Sequence, residues 1–193
     1  MTAFFLSFLA ALLLGAAGRD GVRVARLAAG SGPATALGAA PGLVLAIWLS
    51  AFAASTLAAG AGAWLAPQMP AAARPMFVAL ALGVAALELA VRKAPRAPAE
   101  PTRSTGAILI VLVAAQITDS ARFVIAALAL LTQEPWLVAA GGTLGSGVAL
   151  TLAALAGSEW ERRLPLRIMA WALAVLLLLA AFMIGLSVRD VLF

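Results

Sequence analysis

Asp20 and Asp119 are the residues on which chemistry in this chain must turn. Each stands in an otherwise apolar stretch, and each is followed three residues later by an arginine, Arg23 and Arg122. A carboxylate at bilayer depth costs about 2.5–3.5 kcal/mol on insertion scales, so it marks an ion or substrate path by default. Gln116, Thr118 and Ser120 surround Asp119 with further oxygens, and helical spacing would set Gln116, Asp119 and Arg122 on one face with Ser120 beside them. Around Asp20 the glutamine position is Ala17, while Arg19 and Arg26 add positive charge. The chain has no cysteine and no histidine, which removes disulfides, thiolate metal sites and imidazole proton relays. No Ser/His or Cys/His constellation occurs either, so no catalytic residue is assigned and an enzyme is not expected. What remains is ion chemistry by carboxylates, hydroxyls, amides and backbone carbonyls.

Membrane helices must position these groups. With 64% hydrophobic and 11% charged residues, the chain has too little polar surface to cover a water-soluble globule. Apolar stretches run over Ala3–Ala29 (interrupted by charge), Pro41–Ala66, Met76–Val91, Gly106–Leu131, Pro135–Gly157 and Leu166–Val188. Most reach the roughly 20 residues of a spanning helix; Met76–Val91 is short and must borrow flanking residues. None shows the alternation of a barrel strand. The first stretch also resembles a signal-peptide core with a cleavage site at Gly15-Ala16-Ala17, but it lacks a basic start, and its alignment with Gly106–Leu131 predicts that it stays as the first span.

The landmarks recur in order. Pro41-Gly-Leu-Val-Leu-Ala returns as Pro135-Trp-Leu-Val-Ala-Ala, Thr56-Leu-Ala-Ala-Gly-Ala-Gly62 as Thr151-Leu-Ala-Ala-Leu-Ala-Gly157, and Met69-Pro70 as Leu164-Pro165. The expected fold is therefore an all-α integral membrane protein of six transmembrane helices in two three-helix repeats, 1–91 and 106–193, joined by a Pro/Arg-rich cytoplasmic linker at 92–105. An odd number of spans per repeat inverts the second copy, the plan of many secondary transporters whose sites lie at the repeat interface, so the first and fourth spans should meet near Asp20 and Asp119. Gly30-Ser31-Gly32-Pro33 and Gln133-Glu134-Pro135 punctuate the two halves alike.

Basic residues sort by loop, not into one patch. Arg19, Arg23, Arg26, Arg92, Lys93, Arg96, Arg103, Arg162, Arg163 and Arg167 fall on one side, and little beyond Arg74 and Arg189 on the other. This bias predicts a multi-pass protein of a bacterial-type inner membrane with both termini outside. The +5 net charge is thus a topology signal, and nucleic acid is not an expected partner; the expected partners are the lipid bilayer and a small ion or solute. Trp64, Trp136 and Trp160 lie near helix ends as interfacial anchors, and Gly141 and Gly145 read as packing residues where helices approach closely.

Gln116-Ile117-Thr118-Asp119-Ser120-Ala121-Arg122-Phe123 and Ala17-Gly18-Arg19-Asp20-Gly21-Val22-Arg23 stand where the Gdt-type (transmembrane protein 165) family of six-span cation/proton exchangers carries Glu-x-Gly-Asp-Lys/Arg-Ser/Thr, usually followed by Gln. The chain resembles that family in span count, repeat layout, the Pro-Trp that opens the fifth span and the place of both acidic motifs. The aspartates match; the family's glutamates correspond to Ala17 and Gln116, its glycines to Arg19 and Thr118, its basic residues to Gly21 and Ser120, and its glutamines to Arg23 and Arg122. The resemblance implies a divalent cation/proton exchanger with no resident cofactor, carrying Mn²⁺ or Ca²⁺, with Asp20 and Asp119 as metal ligands.

Other readings stay open. The arginines could recognise an exported anionic or amphiphilic solute, since guanidinium binds carboxylate and phosphate bidentately. Alternatively, Asp20–Arg23 and Asp119–Arg122 are internal ion pairs of a non-transporting membrane component. Glu88 with Arg92 reads as an interfacial pair, and Glu159 and Glu161 as solvated. The oligomeric state is not legible.

Overall fold

The computed structural model describes residues 1–30, 41–91 and 104–192. These form α1 (Thr2–Ala17), α2 (Arg19–Gly30), α3 (Pro41–Leu65), α4 (Ala73–Val91), α5 (Thr105–Ile117), α6 (Ser120–Thr132), α7 (Pro135–Ala156), α8 (Glu159–Arg163) and α9 (Leu166–Leu192), with no strand among the described residues. Most of the linker at 92–105 and the Ser31-Gly32-Pro33 turn lie outside the described residues, as does Arg92, the expected partner of Glu88.

Sequence explains the boundaries. Pro41 and Pro135 open α3 and α7, where a missing N–H costs nothing. Gln133 ends α6 in the left-handed region at φ 54°. Ser104 caps α5 by accepting from the Ala107 N–H at 3.4 Å. The short third stretch gains length at its start, beginning at Ala73.

Among the described residues, four helices are long and apolar enough to cross a membrane: α3 with its 3₁₀ extension, α4, α7 and α9. The first and fourth apolar stretches depart from the straight spans expected. Each is broken, α1 bending 58° into α2 and α5 bending 61° into α6, so the number of spans reaches six when each bent pair crosses once.

Close approach of small residues knits the two halves together. A Cβ on Gly141 would run into Ser7 Oγ and the Phe4 carbonyl, and one on Gly145 into the Phe8 carbonyl, so α1 lies directly against α7. Gly62 likewise lets α3 approach the Ala126 carbonyl of α6. In lipid this association rests on van der Waals contact, which small residues maximise by letting backbones meet. The halves thus exchange their broken elements, α1 packing on the second half's α7 and α6 on the first half's α3. A further core of Val78, Leu82 and Leu89 from α4, Leu130 from α6 and Leu177 from α9 closes the bundle. The outer face of α9 is bare apolar surface, including Leu178, Phe182 and Met183, as a lipid-facing helix requires.

Two of the expected interfacial tryptophans are exposed at helix ends, Trp64 and Trp136. Trp160 is not: it is buried in a cluster with Val22, Ala25, Ala153 and Leu166. The reason is Gly21, whose missing side chain leaves room for the indole; a Cβ there would stand 3.3 Å from Trp160 Nε1.

Candidate ion site at two abutting helix breaks

Both helix breaks have local causes. Gly18 ends α1 in extended conformation, φ −73° and ψ 176°. Thr118, Asp119 and Ser120 form a run of short polar residues that compete with the helix for backbone hydrogen bonds. Asp119 becomes the N-cap of α6, extended at φ −82° and ψ 149°. Breaking a helix frees backbone donors and acceptors, which at membrane depth is tolerated only inside protein or around a cavity. Here the two breaks cover one another. A Cβ on Gly18 would lie 2.6 Å from the Leu14 carbonyl oxygen, which favours glycine at this bend, and 3.4 Å from Asp119 Oδ1, so the first break sits in contact with the aspartate of the second.

The structure brings together most of the expected residues, in altered pairings. Asp20 and Asp119 are both buried, 3% and 4% exposed. Asp20 Oδ1 accepts from Arg23 Nη1 at 2.7 Å, the i, i+3 pair expected from spacing. Its Oδ2 has no partner, and neither do Asp119 Oδ1 and Ser120 Oγ. Asp119 feels the charges of Asp20, Glu88 and Arg122, so these groups share one electrostatic neighbourhood.

Arg122 does not form the expected ion pair with Asp119. The break removes the helical register that would have stacked them, and the guanidinium instead reaches back across it. Arg122 Nη2 donates to Gln116 Oε1 at 2.7 Å and to Ser146 Oγ at 2.9 Å, and Nη1 donates to Ser55 Oγ at 2.6 Å. Gln116 Nε2 donates in turn to Ser50 Oγ at 2.8 Å, whose hydroxyl donates to the Ile47 carbonyl at 3.0 Å. A cation is thereby fixed by α3, α5 and α7 in a buried polar network. Thr118 stands apart: it is exposed, and its hydroxyl donates to the Ala115 carbonyl at 3.2 Å.

Several residues escaped the sequence. Ser50, Ser55 and Ser146 are lone hydroxyls in apolar helices, unremarkable until Arg122 reaches them. Glu88 pairs with Arg19 at 2.7 Å, linking α4 to α2, and is itself nearly buried. Arg26 grips Glu161 through Nε at 2.7 Å and Nη2 at 2.8 Å, tying α2 to α8. That hydrogen bond holds the Glu161 carboxyl below its usual range, as Arg163 and then Arg162 do for Glu159. Glu159 and Glu161 are therefore paired at the surface, not simply solvated.

Two carboxylates, neutral oxygens and a fixed guanidinium can hold a proton or an oxygen-seeking cation. Among the described residues no cluster of three or more acidic, histidine or cysteine side chains is close enough to enclose a metal by itself. A cation here would need hydroxyl, carbonyl or water oxygens beside Asp20 and Asp119, as hard cations readily accept.

No curated protein and no solved structure matches the chain. Residues 104–190, which contain the second break with Asp119, match the model of the family described as divalent cation/proton antiporter GDT1, and that match supports membership of the Gdt-type family.

Proposed function

We propose that this protein is a secondary transporter that exchanges a divalent cation, Mn²⁺ or Ca²⁺, for protons across a bacterial-type inner membrane, with Asp20 and Asp119 as the shared site. One observation carries this: Asp20 Oδ2 and Asp119 Oδ1, one from each half of the chain, are buried at abutting helix breaks without a protein partner. A buried carboxylate oxygen left so is completed by a proton or by a cation, and alternation between the two is what an antiporter needs. The family match supports the cation, since its members are described as divalent cation/proton antiporters. The architecture proposed is two inverted repeats of three spans, 1–91 and 106–193, joined by a cytoplasmic linker with both termini outside. The exchange of broken elements between halves and the loop bias of arginine favour it. Alternating access would then rock one repeat against the other around the aspartates.

Export of an anionic amphiphile is the second reading, favoured by a groove of about 310 Å³ between α3 and α6 that Arg122 helps to line, with Leu57 and Phe123. It ranks lower because both terminal nitrogens of Arg122 are already engaged by protein. The test is flux in reconstituted vesicles under a proton gradient. Native protein should move Mn²⁺ or Ca²⁺ with counter-movement of protons, and Asp119→Asn or Asp20→Asn should abolish it while the protein remains monodisperse and folded. Absence of cation-dependent flux in native protein would refute the assignment.

A further inference from the structure

Arg74 has no part in the chemistry of the aspartates. It stands in the first turn of α4, and among the described residues no carboxylate pairs with it. Its Nε is buried and has no hydrogen-bond partner. A guanidinium withdrawn from water and left so calls for an oxyanion, and phosphate or carboxylate matches its planar fork. Arg74 lines a recess of about 230 Å³ with Ala63, Ala66, Pro67, Gln133 and Pro135, at the end of the bundle where α3 and α6 finish and α4 and α7 begin. Apart from Arg74 and Gln133 its walls are apolar.

The rim identifies the occupant. Trp64 and Trp136, next in the chain to Ala63 and Pro135, are 69% and 83% exposed, and such indoles set the recess at the level of the lipid headgroups. Gln133 holds φ 54°, a conformation that glycine adopts at less cost, and its residue contributes to the lining. Glu134, between Gln133 and Pro135, is exposed and forms no ion pair among the described residues. A cation and an acid therefore stand at one recess without neutralising each other. We propose that the recess binds the headgroup of a membrane phospholipid that carries an ammonium group: Arg74 and Gln133 donate to its phosphate, and Glu134 receives the ammonium. A soluble phosphate ester would satisfy Arg74 too, but the indoles hold the recess where lipid phosphates are already concentrated. Headgroup binding here is independent of what the aspartates carry.

Native mass spectrometry of the detergent-solubilised full-length protein, titrated with phosphatidylethanolamine or phosphatidylglycerol, tests this. Native protein should bind the first phosphatidylethanolamine about tenfold more tightly than Arg74→Gln does, as the loss of hydrogen bonds to a charged group requires. Arg167→Gln, which removes an exposed arginine where α9 begins at the opposite end of the bundle, should bind as native protein does. Glu134→Gln should erase the preference for phosphatidylethanolamine over phosphatidylglycerol while keeping the binding of phosphatidylglycerol. Equal binding by native protein and Arg74→Gln, or an equal loss in Arg167→Gln, would overturn the site, and an unchanged headgroup preference in Glu134→Gln would overturn the ammonium-bearing occupant. Soluble phosphoethanolamine at equal concentration should fail to displace the lipid; displacement would overturn the membrane as the source of the phosphate. Should Arg74→Gln fail to fold, Gln133→Gly, which suits φ 54°, should also weaken binding of the first lipid, and unchanged binding by that variant would overturn the proposal.

Discussion

Gln116 and Arg122 sit where the Gdt-type motif has glutamate and glutamine, and the 2.7 Å bond between them makes the exchange of both a sharper experiment than either alone. With Gln116→Glu only, the new carboxylate lies against the Arg122 guanidinium and is captured by it. A buried ion pair of that kind roughly breaks even in stability and offers little to a cation, so Mn²⁺ affinity should rise by less than about tenfold. With Arg122→Gln only, the hydrogen bonds to Ser55, Ser146 and Gln116 are lost, and one glutamine cannot replace them all. Hydrogen bonds to a charged group are worth about 1.5–3 kcal/mol each, so a loss of about 3–5 kcal/mol of stability is expected. The double variant restores a glutamate with a neutral partner and makes the site two charge units more negative. At an effective dielectric of 20, one unit charge about 8 Å from a divalent ion is worth about 4 kcal/mol. Even halved for relaxation, two units predict a gain of about 100-fold or more in Mn²⁺ affinity. The assay is thermal unfolding of detergent-solubilised protein against Mn²⁺ concentration, since a ligand that binds only the folded state raises its stability by mass action. If Gln116→Glu alone gives the full gain, Arg122 does not capture the carboxylate. If the folded double variant gives none while native protein binds Mn²⁺, residue 116 does not reach the ion.

Packing makes a paired prediction in the same unfolding assay. Gly141→Val should cost at least about 3 kcal/mol or abolish folding, because its side chain would meet Ser7 Oγ and the Phe4 carbonyl of α1; Gly60→Ala has nothing within 4 Å and should stabilise α3 by up to about 1 kcal/mol. At the α2–α8 contact the Glu161 carboxyl is held below its usual value of 4.5 by Arg26. A depressed carboxylate contributes stability above its unfolded pKa and loses it as pH falls through the folded one. Unfolding midpoints measured from pH 7 downward should therefore show this contribution fading below pH 4.5, and Glu161→Gln should remove that part of the slope. Because both side chains are about a third exposed, the effect is at most about 1 kcal/mol. A Glu161→Gln profile that parallels native protein throughout would show the pair to be energetically silent.

What could be read from the sequence follows the range of each interaction. Helix starts at Pro41 and Pro135, the close-packed Gly141 and Gly145, and the Asp20–Arg23 pair all depend on neighbours within a turn or two, or on composition. The helix breaks were hidden because the apolar stretches continue through them: Gly18 is a common enough residue in such a chain, and Thr118 and Ser120 read as ligands before they read as helix stops. Once the break is missed, regular helical spacing assigns Arg122 to Asp119. Its actual partners Ser55 and Ser146 lie on other helices, where periodicity carries no information. The same holds for Arg19 with Glu88, and for Trp160, whose burial depends on the absence of a side chain at Gly21.

The substitutions at the motif positions redistribute charge. Relative to the family pattern, Ala17 and Gln116 remove two carboxylates and Gly21 and Ser120 remove two basic side chains, while Arg19, Arg23 and Arg122 bring three guanidiniums near the aspartates that remain. Simple decay of an ion site would leave buried aspartates without compensation, and that would destabilise the bundle by several kcal/mol per charge. The added arginines supply the compensation, but they do so unequally: Arg122 is built into a network that spans three helices, whereas Arg19 and Arg23 remain partly exposed on one half-helix. A protein that needed only internal ion pairs would have no reason to leave Asp20 Oδ2 and Asp119 Oδ1 unpartnered beside a fixed guanidinium. The arrangement fits a site in which a proton or a cation completes the two aspartates while the Arg122 guanidinium stays in place beside them.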